Sequence, residues 1–292
     1  MNVSADLSHT ALVFPGQGSQ RAEMRDLVVD YCPELIELAV AEIDRDPFEL
    51  VSEGTAYQQP ALYSAAIAGW RAAGSPQAEW FAGHSLGELA AAAASGAIST
   101  EDGLRLAITR GRVMQQAAEA APGGMLAVLG ETQGVSALAN SLGLTVANDN
   151  APDQIVLSGP AEEIKEARAR FKQAGVRTVR LPVAGAFHSP AMTTAVPEFR
   201  VALEAVEVSE QPRLISSVAA GPFADLREGL LAALTRPVRW RETVLRLRDL
   251  GVSHFLESGP GEVLTGLVKR TIDGIDAAPL SSLTSSPETA DV

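Results

Sequence analysis

The sequence predicts an α/β protein in two parts: a larger domain split over residues 1–123 and 184–280, and a small ferredoxin-like βαββαβ domain inserted at residues 124–183. Three observations predict it. Short β-branched and apolar runs alternate with longer stretches whose apolar residues recur at helical spacing. One strand-to-helix junction reads Gly83-His84-Ser85-Leu86-Gly87, the Gly-x-Ser-x-Gly bend of a nucleophile elbow. Residues 124–183 then change character, with strand-like and helical runs in the order β-α-β-β-α-β of the split βαβ arrangement.

Taken in order, residues 10–14 form an apolar strand that stops at Pro15-Gly16-Gln17-Gly18-Ser19-Gln20. The glycines flanking Gln17 let its backbone N–H turn outward. A phosphate loop is excluded, because Arg21 stands where Gly-x-Gly-x-x-Gly needs glycine and no Lys-Ser/Thr pair follows. Leu35, Leu38, Ala39 and Ile43 lie at helical spacing over residues 34–43, and a second helix is expected over 57–73, begun by Gln59-Pro60. Residues 79–82 read as a short buried strand. Residues 88–94 are so rich in alanine and leucine that they read as a helix, which Gly96 ends. Ser99-Thr100-Glu101-Asp102 starts the next helix, which carries Leu106, Arg110, Val113, Met114 and Ala117 on one stripe.

In the inserted segment, residues 125–129, 144–147, 155–157 and 176–181 are the strands, with helices over 135–140 and 161–173. Pro160, Glu162 and Glu163 suit the first turn of the second helix. The last third supplies strands at 214–218 and 254–257, a helix over 240–250, and another after Gly259-Pro260-Gly261. Residues 281–292, rich in Ser, Thr and acids, are expected to form a loose tail.

With 292 residues, 46% of them hydrophobic, the chain can bury a substantial core. Its formal charge of −13 argues against nucleic acid as a partner, since that binding rests on Lys and Arg neutralising phosphates. Cys32 is the single cysteine, which excludes an intrachain disulfide and a cysteine zinc site and fits a cytoplasmic protein; no metal is expected. The first ten residues lack a signal-peptide pattern, and no apolar run approaches the ~20 residues of a membrane helix.

Four histidines, His9, His84, His188 and His254, are the candidates for a base to Ser85. His9 falls in a loose start and His254 in a strand, where packing is expected. His84 adjoins Ser85 but should point away from it. His188, in the loop Gly185-Ala186-Phe187-His188-Ser189-Pro190, remains by elimination. Arg110 on an apolar helix face requires an anion: either a structural carboxylate or a substrate carboxylate held by the planar guanidinium. Five arginines between Arg236 and Arg248 reverse the local charge, as a solvated helix face or as a docking patch.

Phe14-Pro15-Gly16-Gln17-Gly18-Ser19-Gln20, Gln59-Pro60-Ala61-Leu62, Gly83-His84-Ser85-Leu86-Gly87-Glu88, Arg110-Gly111, Gly185-Ala186-Phe187-His188-Ser189-Pro190 and Glu257-Ser258-Gly259-Pro260-Gly261 together resemble the malonyl-CoA:acyl carrier protein transacylases. The resemblance covers nearly the whole chain. It implies an α/β-hydrolase-like large domain with the ferredoxin-like insertion. It also implies Ser85 as nucleophile, His188 as its base oriented by a backbone carbonyl, and the backbone N–H groups of Gln17 and Leu86 as oxyanion hole. Arg110 would hold the malonyl carboxylate, with Gln59, His84 and Asn148 as neighbours, and Phe187 resembles the version associated with malonyl over methylmalonyl. The partners implied are malonyl-CoA and acyl carrier protein. No cofactor is expected beyond the coenzyme A thioester as substrate and the phosphopantetheine on the carrier, and the chain is expected to be a monomer in fatty acid or polyketide biosynthesis. A malonate decarboxylase loading subunit or a trans-acting polyketide synthase acyltransferase would use the same residues, and a serine esterase or thioesterase would share the elbow without needing Arg110. Glu262 stands where lysine is common in the family, residues 48–59 form a shorter segment than usual, and Pro197 is expected to kink the helix after His188.

Overall fold

The computed structural model describes residues 7–183, 185–210 and 213–283. The chain runs β1 (Thr10–Phe14), α1 (Met24–Tyr31), α2 (Pro33–Ile43), α3 (Thr55–Ala72), β2 (Trp80–Gly83), α4 (Gly87–Ala94) and α5 (Thr100–Ala120). It continues β3 (Gly123–Leu129), α6 (Val135–Ser141), β4 (Thr145–Ala151), β5 (Gln154–Pro160), α7 (Ala161–Gln173) and β6 (Arg177–Arg180). The remainder is α8 (Val196–Glu204), β7 (Leu214–Ser216), β8 (Gly221–Pro222), α9 (Leu226–Ala232), α10 (Trp240–Asp249), β9 (His254–Glu257), α11 (Val263–Thr271) and β10 (Asp276–Pro279). This is a mixed α/β fold.

Two sheets organise it. The first has six strands in the order β10-β9-β1-β2-β7-β8, parallel throughout except for the antiparallel β7–β8 edge. Its central strand β1 is buried on both faces, as parallel strands between helical layers are. Leu12 and Phe14 enter one core layer, Ala11 and Val13 the other. Helix α4 is buried at every position, since its alanines let it lie between the sheet and α5. That places the end of β2 and the start of α4 in the middle of the molecule.

The second sheet is antiparallel, in the order β4-β5-β3-β6, and is built wholly from residues 123–180. Leu126 and Val128 on β3 pack with Ile164, Ala167 and Phe171 of α7, while Met125 and Ala127, one residue out of step, join the main core. The second sheet is tied to the segment before α10, where Val238 bridges Asn148 and its N–H reaches the Ala147 carbonyl at 2.9 Å.

Several expectations are corrected. Helix α3 starts at Thr55, so Pro60 lies inside it and not at its first turn. Pro197 sits at the N-terminal end of α8, where a missing N–H costs nothing, and so opens that helix without kinking it. His9 is not in a loose segment: its N–H donates to Glu79 and its ring contacts the Gly251 carbonyl. His254 is exposed, its Nδ1 2.9 Å from Asp276 Oδ2, and not packed. Residues 281–283 belong to a short 3-10 helix (Leu280–Leu283), and the rest of the expected tail, 284–292, lies outside the described residues. Among the described residues no helix is long and apolar enough to cross a membrane, and no group of three or more acidic, His or Cys side chains could hold a metal.

Candidate active site

Ser85 stands at the junction of β2 and α4 with φ 55°, a left-handed conformation that few non-glycine residues adopt. The bend closes tightly: the His84 N–H bonds the Phe14 carbonyl, and the N–H groups of Gly87 and Glu88 bond the carbonyls of His84 and Ser85, each at 3.0 Å. Both glycines of the motif are required by close approach. A Cβ on Gly83 would lie 2.0 Å from the Gly87 carbonyl carbon, and one on Gly87 would lie 2.0 Å from the Phe14 oxygen.

His188 is also left-handed, with φ 57°, so the two residues that face each other are two of six non-glycine residues with positive φ among those described. Such conformations cost free energy and persist where the surroundings fix them. Ser189, just after it, caps the 3-10 helix Pro190–Ala195 and donates to the Ala186 carbonyl at 2.6 Å, which locks the loop. His188 Nε2 lies 2.8 Å from Ser85 Oγ. Its Nδ1 is buried with no hydrogen bond of ordinary geometry, although the backbone at Ala233 and Arg236 lies on that side and favours the protonated ring. These are polar contacts short of full hydrogen bonds. Burial, then Arg110, then His84 push the His188 pKa down to about 3. The imidazole is therefore neutral at pH 7 and able to accept a proton.

Arg110 is 2% exposed. Its Nη2 donates to Ser85 Oγ at 3.1 Å and its Nη1 to Gln59 Oε1 at 2.8 Å. Both partners are neutral. Burial lowers its pKa to about 10, and the charge that partly offsets this is Glu88. Glu88 is itself fully buried: its Oε1 accepts from the Ser217 N–H at 2.7 Å and hydroxyl at 3.0 Å, its Oε2 is without a partner, and burial raises its pKa to about 7. Arg110 thus has no ion pair among the described residues, and the structural-carboxylate alternative is not what the fold provides.

A cavity of about 490 Å³ opens on Ser85 and His188, and Gln17, His84, Asn148 and Phe187 line it. A second space of about 410 Å³ shares Gln17, Gln58 and Phe187 with it. Gln59, Leu86 and Arg110 do not line this cavity: the side chains of all three are buried, and Arg110 meets the site through its contact with Ser85 Oγ. Among the described residues, the backbone N–H groups of Gln17 and Leu86 have no hydrogen-bond acceptor. His84 points away from Ser85, its Nε2 2.8 Å from Asn150 Oδ1 and its ring against Trp240.

The sequence reading missed Asn150, Gln58, Thr55 and Glu88. Asn150 was within reach, because it lies two residues from Asn148 on a strand. Glu88 carries a signal too, as the one charge in a helix otherwise apolar all round. Of the five arginines near α10, Arg239 pairs with Glu242, Arg241 with Asp149 at 2.7 Å and Arg248 with Asp249 at 2.8 Å, so most of the cluster's charge is already compensated.

Comparison with known proteins agrees with this architecture. The acyl transferase domain family matches residues 35–289. The malonyl CoA-acyl carrier protein transacylase of Salmonella typhimurium is 34% identical over 298 residues, covering 94% of this chain and 96% of that protein. The polyketide biosynthesis protein ThaF of Burkholderia thailandensis is 38% identical over 290 residues, 92% of this chain, which spans only 25% of that longer protein. Among solved structures, the malonyl-CoA:acyl carrier protein transacylase of Xanthomonas oryzae pv. oryzae superposes with a TM-score of 0.85 at 34% identity, over 93% of this chain and 94% of that one. With a serine and a neutral histidine in contact and relatives matched almost end to end, the chain is an acyltransferase and belongs to the acyl transferase family of the malonyl-CoA:acyl carrier protein transacylases.

Proposed function

We propose that this chain moves malonyl groups from malonyl-CoA to the pantetheine thiol of an acyl carrier protein, by a ping-pong reaction through a malonyl ester on Ser85. His188 Nε2 takes the Ser85 hydroxyl proton as Oγ attacks the thioester carbonyl. The backbone N–H groups of Gln17 and Leu86 receive the oxyanion, which collapses to expel the coenzyme A thiolate, and that thiolate leaves with the proton from His188. The carrier thiol then runs the same steps in reverse and regenerates the serine. A positioned base supplies roughly 10²–10⁴ in rate, and one oxyanion donor about 3 kcal/mol.

The observation that carries the substrate choice is Arg110, a buried cation 3.1 Å from the nucleophile with only neutral partners. Esterification of Oγ takes the hydroxyl away from Nη2, and the distal carboxylate of a malonyl ester is short enough to fold back onto it. An acyl group without that carboxylate leaves the guanidinium desolvated and unpaired. Phe187, buried on the cavity wall, disfavours a branched methyl by about 1–3 kcal/mol. The strand order β6-β3-β5-β4 and the two helices on one face support reading the small sheet as a ferredoxin-like lobe; we read the six-stranded part as α/β-hydrolase-like. The lobe's residues Met125, Asn148 and Val156 form one side of the cavity. By name the relatives include both malonyl CoA-acyl carrier protein transacylases and a polyketide biosynthesis protein, so the carrier is defined here by its thiol and not by its pathway.

The test is intact-protein mass after mixing with malonyl-CoA. The wild-type chain gains one malonyl group, released by a carrier thiol, and Ser85→Ala gains none. Free malonate produced at the same rate with and without carrier would favour a thioesterase and overturn the transferase reading.

A further inference from the structure

From the buried Arg110 out to the cavity wall the polar side chains form one continuous line. Arg110 Nη1 donates to Gln59 Oε1 at 2.8 Å, and Gln59 Nε2 donates to Thr55 Oγ1 at 3.0 Å. The Thr55 hydroxyl donates to Gln17 Oε1 at 3.2 Å. Gln17 Nε2 donates to Gln58 Oε1 at 2.6 Å, and Gln58 Nε2 to the Val51 carbonyl at 2.8 Å. The two ends leave no freedom in the middle. A guanidinium can only donate and a backbone carbonyl can only accept, so the orientation of all three amides and of the hydroxyl follows from the ends. Each member is polarised in the same sense, with a cation at the donor end, the condition under which hydrogen bonds strengthen one another.

Thr55 is the hinge of this line. It is 6% exposed, stands at the first position of α3, and is where the Arg110–Gln59 half meets the Gln17–Gln58 half. Gln17 sits between Gly16 and Gly18, the latter with φ 103°, in a loop also held by the Ser19 hydroxyl on the Gly16 carbonyl at 2.8 Å, so its side chain is what the Thr55 line adds to that hold.

We propose that Thr55 is a positioning residue that couples the Arg110 clamp to the loop presenting the Gln17 N–H, so that the cation at one end sets the placement of the oxyanion donor at the other. The coupling rests on the acyl-transfer reading of this site, but it does not require the acyl group to be malonyl. With the hydroxyl gone, the Gln59 amide and the Gln17 carbonyl lose their common partner, and Gln17 is free to turn. With Arg110 gone, the line keeps its acceptor end at the Val51 carbonyl but loses its obligate donor, the Gln59 carbonyl has nothing to hold it, and Thr55 no longer ties a cation to the loop.

The experiment follows Ser85 acylation by rapid quench and mass, with malonyl-CoA and acetyl-CoA separately, in the full-length chain. Thr55→Val keeps the shape and removes the hydroxyl. It slows acylation by both substrates about ten-fold, the loss expected for two neutral hydrogen bonds. Thr55→Ser restores the rate to within about two-fold of wild type. In an Arg110→Ala background, Thr55→Val changes acetyl acylation by less than about two-fold. A Thr55→Val rate within about two-fold of wild type, a Thr55→Ser rate as slow as Thr55→Val, or the same ten-fold loss without Arg110 would each overturn the coupling. A wild-type chain that takes acetyl but not malonyl would overturn the malonyl reading, and the acetyl series would still decide the coupling.

Discussion

Two arginine-bearing regions of this chain behave in opposite ways. Near α10 five arginines crowd into a short stretch, yet Arg239, Arg241 and Arg248 each face an acid, and Arg239 also reaches the Ala219 carbonyl. On α5 a single arginine, Arg110, is sealed from water and bonded only to an amide oxygen and a hydroxyl. The density of positive charge in a sequence therefore does not locate an anion site. What locates it is a cation whose burial has been accepted without a paired acid, because an exposed pair is worth about 0–1 kcal/mol and an unpaired buried ion costs several.

The largest effect expected from this contrast is at Arg110. Arg110→Ala lowers kcat/KM for malonyl transfer by about 10²–10³, as roughly 3–5 kcal/mol of buried charge interaction implies, and lowers acetyl transfer by no more than the roughly ten-fold that loss of the Thr55 line costs. Equal loss on both substrates would make Arg110 a structural ion.

The next effect is on stability and belongs to Glu88, the acid Arg110 feels without touching. Burial raises its folded pKa to about 7, above the 4.5 of a free glutamate, so protonated Glu88 favours the fold. That contribution is fully present below about pH 4.5 and is lost as pH rises through about 7. Glu88→Gln, which can still accept from Ser217, escapes the loss. Its Tm relative to wild type should climb between these pH values by thermal melts. A flat difference would mean that Glu88 is ionised throughout.

The smallest effect is at the exposed cluster. Charge reversal at Arg239 and Arg246 together is expected to leave the KM for carrier within about two-fold, as a solvated helix face requires, and to shift Tm by only a few degrees. A rise in carrier KM of about five-fold or more, with malonyl-CoA KM unchanged, would turn this face into a docking patch.

The elements set by local pattern could be read directly from the chain. The elbow announces itself through two glycines around a serine between an apolar strand and an alanine-rich helix, and Arg110 through its place on an apolar stripe. His188 came by elimination among four histidines, a route that holds only because the chain has so few. What could not be read depends on residues distant in sequence. His9 is held by Glu79 and Gly251, the ring of His84 by Asn150, and the proton order along the Thr55 line by Arg110 and Val51 at its ends. No periodicity reports such meetings. The contact of Arg110 with Ser85 is of the same kind: a helix stripe gives the face a side chain occupies, never which residue of another segment it meets.

The most direct measurement is a competition. Equimolar malonyl-CoA and acetyl-CoA are offered to wild type and to Arg110→Ala, and the acyl group on Ser85 is read by mass before any carrier is added. Malonyl ester dominating in wild type and acetyl ester in Arg110→Ala is the predicted result. The same ratio of esters in both proteins would contradict the account, because the buried cation would then have no say in which acyl group the serine takes.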